Sequence, residues 1–316
     1  MPNLPSVSDV QLVEPVLTNM LVAYSQAEVR FVASRIFPSV PVDKDSGTFG
    51  KFTKKYWFTD EMATRAPGDR FARSGFGVES DTYNTNPQFA LETPIADEVR
   101  KNSQLPMDLE TAAVKWLGQK NLLRKEIAWA TDFMATGVWG TDNTTATDWD
   151  DFAAGDPVND ITTAKRTISN NTGMDPNSLV LGYIVHQALI NHPDIIDRIA
   201  YVQQATLGNI EVALAAILGL SNYLVGKATY SNTNEAVAFS ASAIIDDDAL
   251  VCWANPAPSL FEPSAGYTFV WDGGGGAGSI YNVRDALSHA DVIQIKAQWD
   301  QKAVASDCGY FFSDIV

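Results

Sequence analysis

The sequence predicts an α+β protein with helices and strands segregated, and three stretches carry that prediction. Residues 108–136 read as one long amphipathic helix, residues 160–226 alternate short helices with short strands, and from residue 249 onward the chain is mostly strand.

The long helix has the clearest signals. Asp108 stands where an N-cap belongs. Apolar residues follow at Leu109, Ala113, Trp116, Leu123, Ile127, Ala130 and Met134, spaced by threes, fours and sevens. Lys120 interrupts the stripe and is expected to carry its charge outward on its long stem. Gly137 and Gly140 end the pattern. At about 1.5 Å per residue the helix would run on the order of 40 Å, a girder lying on a sheet.

In the alternating stretch, Asp160 is expected to cap a short helix that ends at Gly173. Leu179–Leu181 reads as a buried strand, and two short helices are split at His192-Pro193. Asn209 caps a further helix whose expected apolar face is Val212, Ala213, Ala216, Ile217 and Leu220, and Tyr223–Val225 is a strand. Near the C-terminus, Ile293, Ile295, Ala297 and Trp299 alternate with Gln294, Lys296 and Gln298, the period of a half-buried strand.

The first hundred residues are different. Residues 6–23 show no period and read as an extended arm. Ser25 and Glu28 form a capping-box pattern for a helix with Tyr24, Ala27, Phe31 and Ile36 on one face, ended by Pro38 and Pro41. Residues 46–97 favour strand through Thr48, Phe49, Phe52, Thr53, Tyr56, Trp57, Phe58 and Thr59. Ala66-Pro67-Gly68-Asp69 is a turn, and the chain returns through Phe76, Val78, Thr82 and Tyr83. This is a long two-stranded excursion with little core of its own. An isolated hairpin is marginal in water, so the segment makes sense mainly against another subunit.

Bulk properties exclude several function classes. The chain has 316 residues, 46% hydrophobic and 19% charged, which suits a self-sufficient folded protein. No run approaches the roughly 18 to 20 apolar residues of a membrane helix. Met1-Pro2-Asn3-Leu4-Pro5 lacks the basic start and apolar core of a signal peptide, so a cytoplasmic product is expected. Cys252 and Cys308 sit in apolar surroundings and read as buried, inert thiols, the alternative of a disulfide being disfavoured in a reducing compartment. A formal net charge of −16 argues against a protein built to grip nucleic acid.

Signatures of catalysis and metal binding are absent from the sequence: Gly-x-Ser-x-Gly, His-Glu-x-x-His, Cys-x-x-Cys and Gly-Lys-Ser/Thr do not occur. His186, His192 and His289 lack zinc-site spacing and read as ordinary histidines. Gly273, Gly275 and Gly278 fit Gly-x-Gly-x-x-Gly, come after a strand candidate at Tyr267–Trp271, and precede Asp300 at the distance of a ribose-binding acid. Four successive glycines generate that pattern trivially, and Ile280-Tyr281-Asn282-Val283 is a poor helix start. A glycine-rich hairpin loop explains the segment better than a dinucleotide site. No catalytic residue, cofactor or metal is expected.

Charge is unevenly placed. Residues 43–73 carry seven basic side chains against five acidic ones, and residues 142–160 carry six aspartates and no basic residue. These are either solvated segments or complementary contact patches between copies of the chain.

Several passages, in order along the chain, resemble the major capsid proteins of tailed bacteriophages with the Hong Kong 97-type fold. They are Phe37-Pro38-Ser39-Val40-Pro41-Val42 with Ser46 to Phe52; Thr64-Arg65-Ala66-Pro67-Gly68; Thr172-Gly173-Met174-Asp175-Pro176-Asn177 leading into Leu179–Leu181 and on to His192-Pro193; Pro263 to Trp271; and Gly309-Tyr310-Phe311-Phe312. The resemblance spans the whole chain. It implies an N-terminal arm (1–42), an extended E-loop hairpin (43–97), a peripheral domain with its long spine helix (98–159), an axial domain (160–250), and return strands completing both domains (251–316). It implies hexamers and pentamers of a shell, icosahedral or prolate, enclosing double-stranded DNA without sequence-specific binding. A portal, a separate scaffolding protein and a decoration protein are implied partners. The N-terminal scaffolding region that many members carry is not visible before the E-loop. Some members cross-link an E-loop lysine, for which Lys51, Lys54 and Lys55 are candidates by location.

With that frame, the expected subunit-interface residues are Lys51, Lys54, Lys55, Arg65, Arg70 and Arg73 on the E-loop, and Asp148, Asp150 and Asp151 on the acidic segment. The expected product is a virion component assembled in the host cytoplasm and not an enzyme. An encapsulin-like compartment shell is the alternative of the same class, and a nicotinamide-dependent enzyme using Gly273–Gly278 is the alternative of another.

Overall fold

A computed structural model describes residues 25–103, 108–144, 147–201, 210–231, 233, 237–258 and 262–316. The expected extended arm over residues 6–23, and Tyr24 and Asn209 in their expected roles, lie outside the described residues. In chain order the strands are β1 (Ser39–Val42), β2 (Ser46–Phe52), β3 (Val78–Asn84), β4 (Phe89–Ala96), β5 (Thr141–Asn143), β6 (Ser178–Gly182), β7 (Asn222–Gly226), β8 (Thr229–Tyr230), β9 (Ser242–Ala243), β10 (Ala249–Cys252), β11 (Gly266–Trp271), β12 (Ser279–Asp285), β13 (Ala290–Ala297), β14 (Trp299–Ala303) and β15 (Gly309–Phe312).

The core is a mixed five-stranded sheet in the order β5-β15-β10-β6-β7. Every residue of β6, β10 and β15 is buried. Alternation along each strand splits them between two faces. Leu179, Leu181, Tyr223, Val225, Ala249, Val251, Tyr310 and Phe312 meet helices Pro157–Thr172, Tyr183–Asn191 and Ile210–Leu218 on one side. Val180, Leu224, Leu250, Cys252 and Phe311 meet Ile36, Phe37, Trp129 and Phe133 on the other. A sheet covered on both faces has near-continuous apolar strands, as these are.

The long helix spans Leu109–Phe133, about 38 Å. Asp108 caps it, accepting from the N–H groups of Glu110 and Thr111. Its inner face differs from the expected stripe. Trp116 is exposed and Leu117 is buried, packing with Ile95, Ile293 and Ile295. Toward its C-terminal end the helix buries Lys125 and Glu126. The Glu126 carboxylate accepts from the backbone N–H groups of Val32 and Ala33 at 2.8–2.9 Å. The capping box expected at Ser25 and Glu28 does not form. Glu28–Arg30 is a single 3-10 turn, and the helix proper is Ala33–Ile36, its first N–H groups held by a carboxylate from far along the chain. Burial pushes the Glu126 carboxyl above the usual range, and the two N–H groups oppose that.

Other expectations shift by about a turn or a face. Asp156, not Asp160, caps helix Pro157–Thr172, and Gly173 closes it in the left-handed region at φ 71°. The Asp160 carboxylate instead accepts from the indole N–H of Trp149 at 3.0 Å. Helices Tyr183–Asn191 and Pro193–Tyr201 break at His192 as expected. The next helix packs through Leu214, Ala215 and Leu218, leaving Val212 and Ala216 exposed.

Two three-stranded sheets and a short β8–β9 pair complete the body. β13 pairs with β12 and β4, and β11 lies between β1 and β14. Ile293, Ile295, Ala297 and Trp299 point inward as their alternation predicts. The alternation breaks at Gln298, which is buried and separates β13 from β14.

Candidate assembly surface

The excursion forms a two-stranded ribbon, β2 against β3, with Ser46 opposite Asn84 and Phe52 opposite Val78. No residue from Asp43 to Asn84 is buried. Between the strands lie a short helix, Lys54–Phe58, and an irregular tip closed at Ala66–Asp69 by a 3.1 Å backbone hydrogen bond. The helix replaces the strand expected through Tyr56, Trp57 and Phe58. β2 ends where Thr53 N–H turns to the Gly77 carbonyl, and Phe52 then meets Trp57 and Phe76 edge-on at 5.5 and 5.8 Å.

The ribbon's large apolar side chains face water. Trp57, Met62, Phe71 and Phe76 are 61%, 96%, 77% and 69% exposed, with Tyr56, Phe58 and Val78 beside them. A clustered apolar surface of this kind on a folded chain marks a contact with another macromolecule.

The base is anchored to the body. Tyr83 stacks on Phe269 at 4.9 Å, Phe49 packs on the same ring, and Asn84 N–H donates to the Asp300 carboxylate at 2.9 Å. The cations fall into two groups. Lys51 pairs with Asp81 at 2.5 Å and Lys54 with Asp307 at 2.9 Å, both within the chain. Arg65 donates to the Asp69 carbonyl and lies over the Phe71 ring at 4.5 Å. Lys55, Arg70 and Arg73 are exposed and make no ion pair among the described residues.

Asp148, Asp150 and Asp151 lie on an exposed loop held by one buried side chain, Trp149, whose backbone N–H donates to the Ile315 carbonyl at 2.7 Å. Within the chain the structure does not bring these aspartates to the ribbon's cations; none pairs with them among the described residues. The acidic loop also exposes Phe152, which the charge pattern alone did not single out.

The glycine segment has the wrong context for a dinucleotide. It leads into strand β12, not into a helix. Gly275 turns at φ 109°, where a Cβ would press on the Lys296 carbonyl, and Gln298 N–H closes on the Gly276 carbonyl at 2.9 Å. The glycines thus make the tight crossover between two sheets. His186 bonds the Tyr223 hydroxyl at 2.9 Å and His192 the Gly155 carbonyl at 3.1 Å, both buried. Cys252 and Cys308 are free and buried, and burial pushes the Cys308 thiol up to about 12. Among the described residues, no group of three or more His, Cys, Asp or Glu is placed to hold a metal ion. No helix among them is long and apolar enough to cross a membrane.

No protein-family model matches the chain. It is 26% identical over 315 residues to the major capsid protein of Burkholderia phage BcepMu, covering 98% of each chain. Its fold matches a phage-related protein from Bordetella bronchiseptica RB50 with a TM-score of 0.69 and 23% identity, over 96% of this chain and 98% of that one. It also matches the capsid of a native GTA particle with a TM-score of 0.59 and 13% identity, over 98% and 99% of the two chains. The architecture is that of phage capsid proteins.

Proposed function

We infer that this chain is a phage major capsid protein, the repeating subunit of the shell. The observation that carries this reading is the ribbon: a segment of about 40 residues, none of them buried, that extends aromatic side chains into water from a well-packed body. A monomer gains nothing from such a surface, whereas a shell subunit uses it at every neighbour. The end-to-end likeness to a phage major capsid protein supports the same reading. The role is structural, not enzymatic.

Hexamers and pentamers are the assemblies this subunit would form, with a portal, a separate scaffolding protein and a decoration protein as further partners. The division into arm (1–42), E-loop (43–97), peripheral domain (98–159), axial domain (160–250) and return strands (251–316) fits the ribbon and the long helix. The five-stranded sheet draws β5 from the peripheral segment and β15 from the return strands, so the core crosses those boundaries. Lys55, Arg70 and Arg73, free of ion pairs among the described residues, are the cations best placed to meet acidic surface on an adjacent subunit. The Asp148–Asp151 loop is one such surface. Lys51, Lys54 and Arg65 would first have to leave their partners within the chain.

Negative-stain electron microscopy of the purified chain tests the reading. Closed shells or capsomers, alone or with a scaffold, are expected. A compact monomer that stays monomeric at high concentration would overturn it.

A further inference from the structure

Beside the long helix, at the foot of the ribbon, lies a cleft of about 280 Å³. Three elements meet there: the last turn of the helix with Asp132, the end of β3 with Asn84, and β14 with Trp299, Asp300 and Gln301. β14 is the outer strand of its sheet, so its edge forms the wall. Asp300 and Gln301 therefore both line the cleft although they alternate along the strand.

The cleft gathers acceptors without matching cations. Burial, and after it the negative charge of Asp300, raise the Asp132 carboxyl, with Arg124 opposing, so the two carboxylates interact. Neither forms an ion pair among the described residues. Lys302 turns to Asp81 at 3.9 Å, and the Arg124 guanidinium lies over the Phe89 ring at 5.0 Å. Gln301 is 5% exposed, and both ends of its amide lack a partner. The indole N–H of Trp299, equally buried, lacks one too. Buried polar groups in folded proteins are nearly always satisfied, so an unpartnered amide beside two carboxylates points to an occupant that is positively charged and brings water.

We propose that the cleft holds one hydrated divalent cation of the Mg²⁺ type between the Asp132 and Asp300 carboxylates, with the Gln301 amide oxygen accepting from its water shell. Mg²⁺ dehydrates reluctantly, is held by one or two carboxylates, and keeps several waters. Two carboxylates in a cleft with room for several waters, at roughly 30 Å³ each, match that chemistry. Ca²⁺ takes about six to eight oxygen ligands, more than these side chains supply. No histidine or cysteine lines the cleft for a softer metal.

Such an ion braces the root of the ribbon within one chain. Asp300 already accepts from the Asn84 N–H at 2.9 Å, at the last residue of β3. Asp132 stands one residue before the end of the long helix. A cation shared by the two carboxylates ties the root to the helix, whatever covers the rest of the ribbon.

Mn²⁺, which carboxylate and water ligands also suit, is the probe. The purified full chain, freed of metal with a chelator, is titrated with Mn²⁺ by electron paramagnetic resonance and then challenged with Mg²⁺. One saturable site displaced by Mg²⁺ is expected, with a dissociation constant on the order of 10⁻⁴–10⁻³ M. Asp132→Asn, at an exposed position, should weaken it by about tenfold or more, and Asp150→Asn on the acidic loop should leave it unchanged. Fe²⁺ with peroxide in place of Mn²⁺ should cut the chain near Asn84, Asp132 and Asp300. Absence of a saturable site overturns the inference, as does a site that Asp132→Asn leaves at full strength or that cuts elsewhere. If Mn²⁺ finds no such site while spermidine raises the unfolding midpoint of the unsubstituted chain but not of Asp132→Asn, the occupant is an organic amine and the inference is equally overturned.

Discussion

The five-stranded sheet and the β2–β3 ribbon are opposite solutions within one chain. β6, β10 and β15 bury every residue between two layers of side chains supplied by the same polypeptide. The ribbon buries none and holds its shape through a ladder of backbone bonds and a few aromatic contacts at its base. The sheet's stability is therefore a property of the subunit, while the ribbon's order depends on what covers it. Substitutions in the two regions should separate subunit stability from assembly.

The largest expected effect lies in the sheet. Phe312 is fully buried against Trp149 and Tyr310. Phe312→Ala should cost about 3–5 kcal/mol in denaturant unfolding. Phe71→Ala should change unfolding by less than about 0.5 kcal/mol and instead raise the concentration needed for assembly. A comparable loss of subunit stability from both would erase the contrast.

Next is Glu126, which joins the 31–37 segment to the long helix. Glu126→Ala leaves two buried backbone N–H groups without an acceptor and should cost about 2–4 kcal/mol. Glu126→Gln keeps one acceptor oxygen and should cost distinctly less. Equal losses would mean that the N–H groups find other partners.

Glu126 also marks where the sequence stopped being legible. Signals contained in a few neighbouring residues were readable: the Asp108 cap, the His192-Pro193 break, the Gly173 stop, the alternation from Ile293 to Ala297, and an excursion with little core. Signals supplied from a distance were not. The Ser25–Glu28 box lost to Glu126, which lies 94 residues from Val32. The exposure of Trp116 and Val212 comes from where the sheets lie, which helical spacing alone does not reveal. Of the candidate interface, the sign of the charges was visible, but the pairing of Lys51 and Lys54 within the chain required the folded ribbon.

A smaller effect is expected from pH. Burial, reinforced by Asp247, Asp314 and Asp246, raises the Asp248 carboxyl to about 6 from an ordinary 3.8, against a hydrogen bond from the Asp314 N–H. The folded chain thus takes up this proton at a higher pH than the unfolded chain does. Stability from this group increases as pH falls from 7 toward 4 and is lost as pH rises through 6. After allowance for solvent screening the gain should be about 1 kcal/mol, and Asp248→Asn should supply most of it at pH 7. Unfolding curves at pH 7 and pH 5 check the sign; a variant less stable at pH 7 would contradict it.

The smallest effect per contact is that of the ribbon's cations. Arg70→Glu with Arg73→Glu should leave subunit unfolding unchanged. Each intersubunit pair is worth about 0.2–1 kcal/mol, but the shell repeats it, so assembly should weaken and become strongly salt-dependent. Normal assembly of this variant at low and high salt, monitored by light scattering, would leave these arginines merely solvated.

Hydrogen exchange compared between unassembled subunits and shells tests the central claim most directly. The account predicts that β6, β10 and β15 are protected in both states, while residues 46–84 exchange quickly in the subunit and become protected on assembly. Full protection of residues 46–84 in a subunit that remains monomeric would contradict it.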